Sequence, residues 1–153
     1  MIKIVAAGKI KDSNLKALCD DYQKRISRYS KIEVIEVRDE NLETGDEDKI
    51  KKSEGERILK QVKSDDYVIL LDLRGSELDS VAFANKLQGL IDSSRNITFI
   101  IGGSIGVSDD VLNRADYLLK LGKMTFLHQM SRLIILEQIY RGFKIMHHET
   151  YHK

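Results

Sequence analysis

Apolar residues along the chain come in short runs that switch between two periods. Ile2–Ala7 is apolar except for Lys3 and closes on Gly8, which predicts a first strand. From Leu15 to Tyr29 the spacing changes. Leu15, Leu18, Cys19, Tyr22 and Ile26 share one helical face, with Ser13 or Asn14 as the candidate cap. Ile32–Val37 alternates and predicts a second strand, and the acidic stretch Arg38–Asp48 reads as an exposed loop. A helix follows from about Asp48 to Val62, weakened at Gly55 by about 1 kcal/mol relative to alanine. Tyr67–Leu73 predicts a strand, with a turn at Arg74-Gly75-Ser76. A helix from about Ser80 to Ile91, a strand over Ile97–Ile101 and a short helix capped by Ser108 and ending at Arg114 come next. Tyr117–Leu121 predicts a fifth strand, and Phe126 to about His147 a long final helix.

Strict alternation of strand and helix predicts an α/β fold, a mostly parallel sheet with helices on both faces. No internal repeat or linker divides the chain, so residues 1–153 are expected to form one domain. Hydrophobic residues make up 42% and charged residues 32%, enough for a core and a solvated coat, which excludes disorder. Proline is absent, so no proline-rich recognition segment exists. The lone Cys19 excludes an intrachain disulfide and is expected to be buried. No apolar run nears the roughly 18–20 residues of a membrane span, and Met1–Gly8 lacks a signal peptide's basic start. The expectation is a soluble cytoplasmic protein with no membrane partner.

The net charge is only +1, but it is unevenly spread. Residues 1–119 carry 19 basic and 22 acidic side chains, whereas residues 120–153 carry 6 and 2, and all four histidines. That asymmetry fits either an acidic partner at the C-terminal end or a solvated helix face.

Ligands of open α/β sheets bind outside the carboxyl ends of the strands. Three such ends carry unusual residues: Leu71–Gly75, Gly102–Gly106 and Leu121–Phe126. The glycines of the second permit positive φ and close ligand approach, although the phosphate-loop and dinucleotide fingerprints are missing. The third offers main-chain groups beside Leu121, Met124 and Phe126, a mixture suited to a purine ring. Each also reads as an ordinary structural connection. His128 opens the final helix, where it serves as a cap, a packing residue or a proton acceptor. One cysteine and scattered histidines give no metal site, so none is expected. The final helix has a broad apolar sector, which fits either packing on the sheet alone or packing on both the sheet and a second subunit.

Short motifs along the chain, in this order and spacing, carry a resemblance. They are Ala7–Lys11, Tyr22–Ile26, Glu54–Leu59, Leu71–Gly75, Phe99–Ser104, Lys123–Phe126, His128–Met130, Arg132, Glu137–Arg141 and Tyr151–Lys153. Nearly end to end, the sequence resembles the large-subunit ribosomal RNA methyltransferase H family. The resemblance implies a SPOUT-type fold whose C-terminal segment forms a trefoil knot, a rare exception to chain-threading rules. It implies a homodimer that moves a methyl group from S-adenosylmethionine to N3 of a pseudouridine in 23S ribosomal RNA of the assembled ribosome. Leu71, Gly102, Gly103 and the run Leu121, Gly122, Lys123, Met124, Thr125 and Phe126 would then hold the cofactor. His128, Arg132 and His152 become the candidate catalytic residues, with His152 serving the other subunit's site. Arg141, Lys144, Tyr151 and Lys153 become candidates for RNA contact.

The chain departs from that pattern at Leu127, where relatives commonly have proline, and at Ile105 and Val107. Leucine leaves φ unlocked, which predicts a looser approach to the last helix with cofactor affinity weakened or unchanged. Two other readings stay open on the residues alone: a ribosome-associated binding module of the same fold without catalysis, and an unrelated nucleotide-binding enzyme.

Overall fold

A computed structural model describes residues 1–40 and 45–153. Ten elements alternate: β1 (Ile2–Ala7), α1 (Ser13–Ile26), β2 (Ile32–Val37), α2 (Glu47–Leu59), β3 (Tyr67–Glu77), α3 (Ser80–Asp92), β4 (Ile97–Ile101), α4 (Asp109–Arg114), β5 (Tyr117–Lys120) and α5 (His128–Met146). The strands form one sheet in the order β2-β1-β4-β3-β5, and every pairing between them is parallel. β1 and β4 are buried along their whole length, which is why both read as nearly unbroken apolar runs. One face of the sheet packs on α1, α3 and α5 through Cys19, Ile26, Phe83, Leu87, Ile135 and Phe143. The other packs on α2 and α4 through Ile58 and Val111. Of the loop expected at 38–48, residues 41–44 lie outside the described residues, and Glu47 and Asp48 belong to α2.

Helix starts follow side-chain chemistry. The cap of α1 is Asp12 rather than Ser13 or Asn14: its carboxylate accepts the N–H groups of Asn14 and Leu15 at 2.8 and 2.9 Å. Asp79 and Ser108 cap α3 and α4 in the same way. α5 has no side-chain cap. It begins at His128, two residues later than the apolar pattern suggests, because Phe126 and Leu127 remain outside the helix and exposed. Gly55 has a packing reason that outweighs its helix cost. A Cβ there would collide with the Ser108 hydroxyl, so glycine lets α2 lie flat on the start of α4.

β3 holds the main departure from the expected pattern. Leu71 pairs with Leu119, the chain swings out over residues 72–75, and Ser76 pairs with Leu119 again. The expected turn is therefore an excursion inside a longer strand. At its return a Gly75 Cβ would lie 2.5 Å from the Leu118 main chain, so only glycine fits.

Candidate active site

The three unusual strand ends meet. Between the mid-strand excursion of β3 and the carboxyl ends of β4 and β5 lies a cavity of about 430 Å³, within the range of small-molecule sites. Leu71, Gly102, Gly103, Leu121, Gly122, Met124, Thr125 and Phe126 line it, and His128 reaches it from the first turn of α5. Lys123, from the same run, is exposed and does not line it.

The glycine loop after β4 is folded on itself. Gly106 has φ +94° and donates its N–H to the Gly103 carbonyl at 3.1 Å, while Val107 packs where a Gly102 side chain would stand. A Cβ on Gly106 or Gly122 would meet nothing within 4 Å, although both residues line the cavity. Bare main chain is therefore presented to an occupant, flanked by Leu71, Leu121, Met124 and Phe126. Polar backbone beside apolar side chains is what an adenine edge and its faces require, so the donor set fits S-adenosylmethionine.

Two charged lining residues fall within the Leu71–Gly75 stretch but were not among the candidate cofactor-binding or catalytic residues. Asp72 and Arg74 stand on the β3 excursion, and the Arg74 guanidinium grips Asp72 through Nε and Nη2, both at 2.8 Å. The Arg74 N–H also donates to Asp72 at 2.8 Å. These bonds hold the Asp72 carboxyl below the usual carboxylate range. The Asp-x-Arg spacing was visible, but the outward swing that aims it at the cavity was not. At His128, burial pushes the imidazole below its ordinary value, opposed in part by the Asp39 charge.

The other expected catalytic residues lie elsewhere in this chain. Arg132 is buried, donating to Glu36 at 2.6 Å and to the Gly8 carbonyl at 3.0 Å. It braces α5 against the ends of β1 and β2 beside a small separate cavity, and its Nε has no partner among the described residues. His152 lines a second cavity of about 430 Å³ between α3 and α5, which shares Leu119 and Leu121 with the first.

The expected RNA contacts are mostly engaged within the chain. Arg141 binds Glu137 at 2.6 Å and lies over the Tyr151 ring, and its Nη1 is 3.1 Å from His152 Nδ1. Tyr151 donates to Glu137 at 3.1 Å and packs edge-on against Tyr140. Lys144 pairs with Glu149 at 2.8 Å, and Lys153 is exposed. Tyr151 thereby fastens the tail to α5.

A parallel sheet with an apolar, glycine-backed cavity at its carboxyl edge defines an α/β protein with its candidate ligand site where open sheets of this kind place theirs. Residues 1–152 match a family model described as "Predicted SPOUT methyltransferase". Proteins named ribosomal RNA large subunit methyltransferase H from Alkaliphilus oremlandii, Clostridium kluyveri and Ruminiclostridium cellulolyticum are 51%, 49% and 48% identical to it, each over 99% of both chains. The chain belongs to the SPOUT methyltransferase family.

Proposed function

We propose that this protein methylates 23S ribosomal RNA in the assembled ribosome, with S-adenosylmethionine as the methyl donor and N3 of a pseudouridine as the acceptor. The observation that carries the reading is the convergence of Leu71, the Gly102–Gly103 loop and the Leu121–Phe126 run on one cavity. The relatives' name supports ribosomal RNA as substrate, and the family resemblance supports pseudouridine and the trefoil-knotted C-terminal segment.

When bound, S-adenosylmethionine supplies an electrophilic methyl group and leaves as the neutral thioether S-adenosylhomocysteine. The chain's own work is positioning and proton handling. Gly102, Gly103 and Gly122 offer main chain to the cofactor, while Leu71, Leu121, Met124 and Phe126 enclose its adenine and exclude water. Lys123, at the rim, faces solvent and the RNA. N3 of pseudouridine carries an imide proton that must leave as the new N–C bond forms. Neutral His128 accepts it at the cavity wall. Arg132 acts from behind, setting the direction of α5 and so the place of His128.

Two copies complete the site. Leu73, Val81, Met124, Phe126, Leu127 and Met130 are exposed apolar residues on and around the two cavities, a surface suited to a second subunit. His152, with Arg141 at its side, then serves the partner's cavity, and Lys144, Tyr151 and Lys153 extend a basic edge toward RNA. Among the described residues no helix is long and apolar enough to cross a membrane.

The test is transfer of labelled methyl groups to ribosomes lacking the modification, with free 23S RNA as control. Labelling of ribosomes well above free RNA is expected. No label on either overturns the assignment.

A further inference from the structure

One buried carboxylate has no part in the scheme above. Glu54 on α2 is only 5% exposed. Its Oε2 accepts the Glu40 N–H at 3.1 Å. Its Oε1 lies 2.9 Å from the point a Gly103 Cβ would occupy, directly behind a residue that lines the cavity. The next residue, Gly55, is the one that lets α2 press on Ser108 and Val111.

Two consecutive residues of one helix therefore touch both ends of the glycine loop, at Gly103 and at Ser108. Between those points the loop is thinly held: an isolated bridge joins Gly103 to Gly106, and Gly106 has positive φ. The same helix grips the segment after β2, where Arg57 pairs with Glu40 and donates to the Arg38 carbonyl at 2.9 Å. Burying a carboxylate carries a desolvation cost that an apolar packing residue would avoid. Burial accordingly pushes the Glu54 carboxyl up.

We propose that Glu54 is a positioning residue for cofactor binding: anchored by the Glu40 N–H, its carboxyl group braces the Gly102–Gly103 main chain in the shape that receives the cofactor. This rests on reading the cavity as the S-adenosylmethionine site.

The test compares the full-length protein with Glu54→Ala, Glu54→Gln and Ile58→Ala by calorimetric titration with S-adenosylhomocysteine. Amide hydrogen exchange over residues 102–107 is followed in parallel. Ile58, 1% exposed on the same helix, controls for loss of stability alone. Glu54→Ala is expected to weaken binding about tenfold and to speed exchange in the loop. Glu54→Gln keeps an oxygen for the Glu40 N–H, and Ile58→Ala only opens a cavity, so both should stay within about threefold of the parent. If Glu54→Ala does not fold, Glu54→Asp, too short to span both contacts, takes its place with the same expectation. Parental affinity in the Glu54 variant, or an equal loss in Ile58→Ala, overturns the proposal. A parent protein that does not bind S-adenosylhomocysteine overturns the cofactor reading instead. The exchange result then judges the brace alone, and unchanged exchange in Glu54→Ala rejects it.

Discussion

The two ends of the sheet are built on opposite plans. At the amino end the buried polar groups Lys3, Asp66 and Thr98 are paired with one another. Lys3 donates to the Gln61 carbonyl at 2.7 Å and faces Asp66 at 3.6 Å, and Asp66 accepts from Thr98 and the Lys63 N–H. Arg114 covers the Asp66 and Lys63 carbonyls, both at 2.9 Å. At the carboxyl end, glycine main chain stands bare and Met124, Phe126 and Leu127 are exposed. The same five strands thus end once in a saturated polar network that serves stability and once in an open cavity that serves binding. The contrast teaches that damage at the two ends should appear in different measurements.

The largest effect belongs to the open end. His128→Asn should slow single-turnover methyl transfer by about 10²–10⁴-fold while S-adenosylhomocysteine still binds. The pH profile sharpens this prediction. Burial disfavours the imidazolium, so His128 remains a neutral acceptor to a pH below its ordinary 6.5. The acid limb of the rate should fall below pH 6.5 and be lost in the variant; an inflection above 6.5 would contradict the assignment.

At the closed end, Asp66→Ala leaves the Lys3 ammonium buried without its carboxylate and should cost about 3–5 kcal/mol in urea unfolding. Its S-adenosylhomocysteine affinity, measured where the variant is folded, should be unchanged. Gly122→Val makes the converse test. A Cβ there would meet nothing within 4 Å among the described residues, so stability should shift by no more than about 1 kcal/mol, yet binding should weaken about tenfold because main chain exposed to the cavity is covered. If either variant changed both quantities together, the separation of the two ends would fail.

The smallest effect concerns Leu127. Its φ is −57°, already within the range proline imposes, and no hydrogen bond from its N–H is found among the described residues. Leu127→Pro should therefore stabilise the protein by about 0.4–1 kcal/mol in thermal unfolding.

Local periodicity made the order of elements legible, because each strand and helix buries a face that its own residues declare. It also picked out the three strand ends, since glycine clusters and abrupt apolar-to-polar changes are local signals. Whether those ends meet depends on strand order, and β1 lying between β2 and β4 leaves no mark in the chain. The β3 excursion was misread as a turn because Arg74-Gly75 satisfies turn chemistry equally well; what decides is Gly75 against Leu118, a contact across strands. Glu54 was marked only as part of a family motif, and Arg132 as a candidate catalytic residue. Their roles come from partners 14 and 96 residues away, Glu40 and Glu36, which no window along the sequence connects. His152 and Tyr151 were marked by their chemistry, but the tail's attachment through Glu137 was not.

The most direct test of the central claim is the structure of the protein crystallised with S-adenosylhomocysteine. The nucleoside is expected in the cavity between the β3 excursion and the carboxyl ends of β4 and β5, its adenine among Leu71, Leu121, Met124 and Phe126 and its polar groups on the main chain of the Gly102 and Gly122 segments. Ligand bound at any other place, such as the second cavity beside His152, would contradict it.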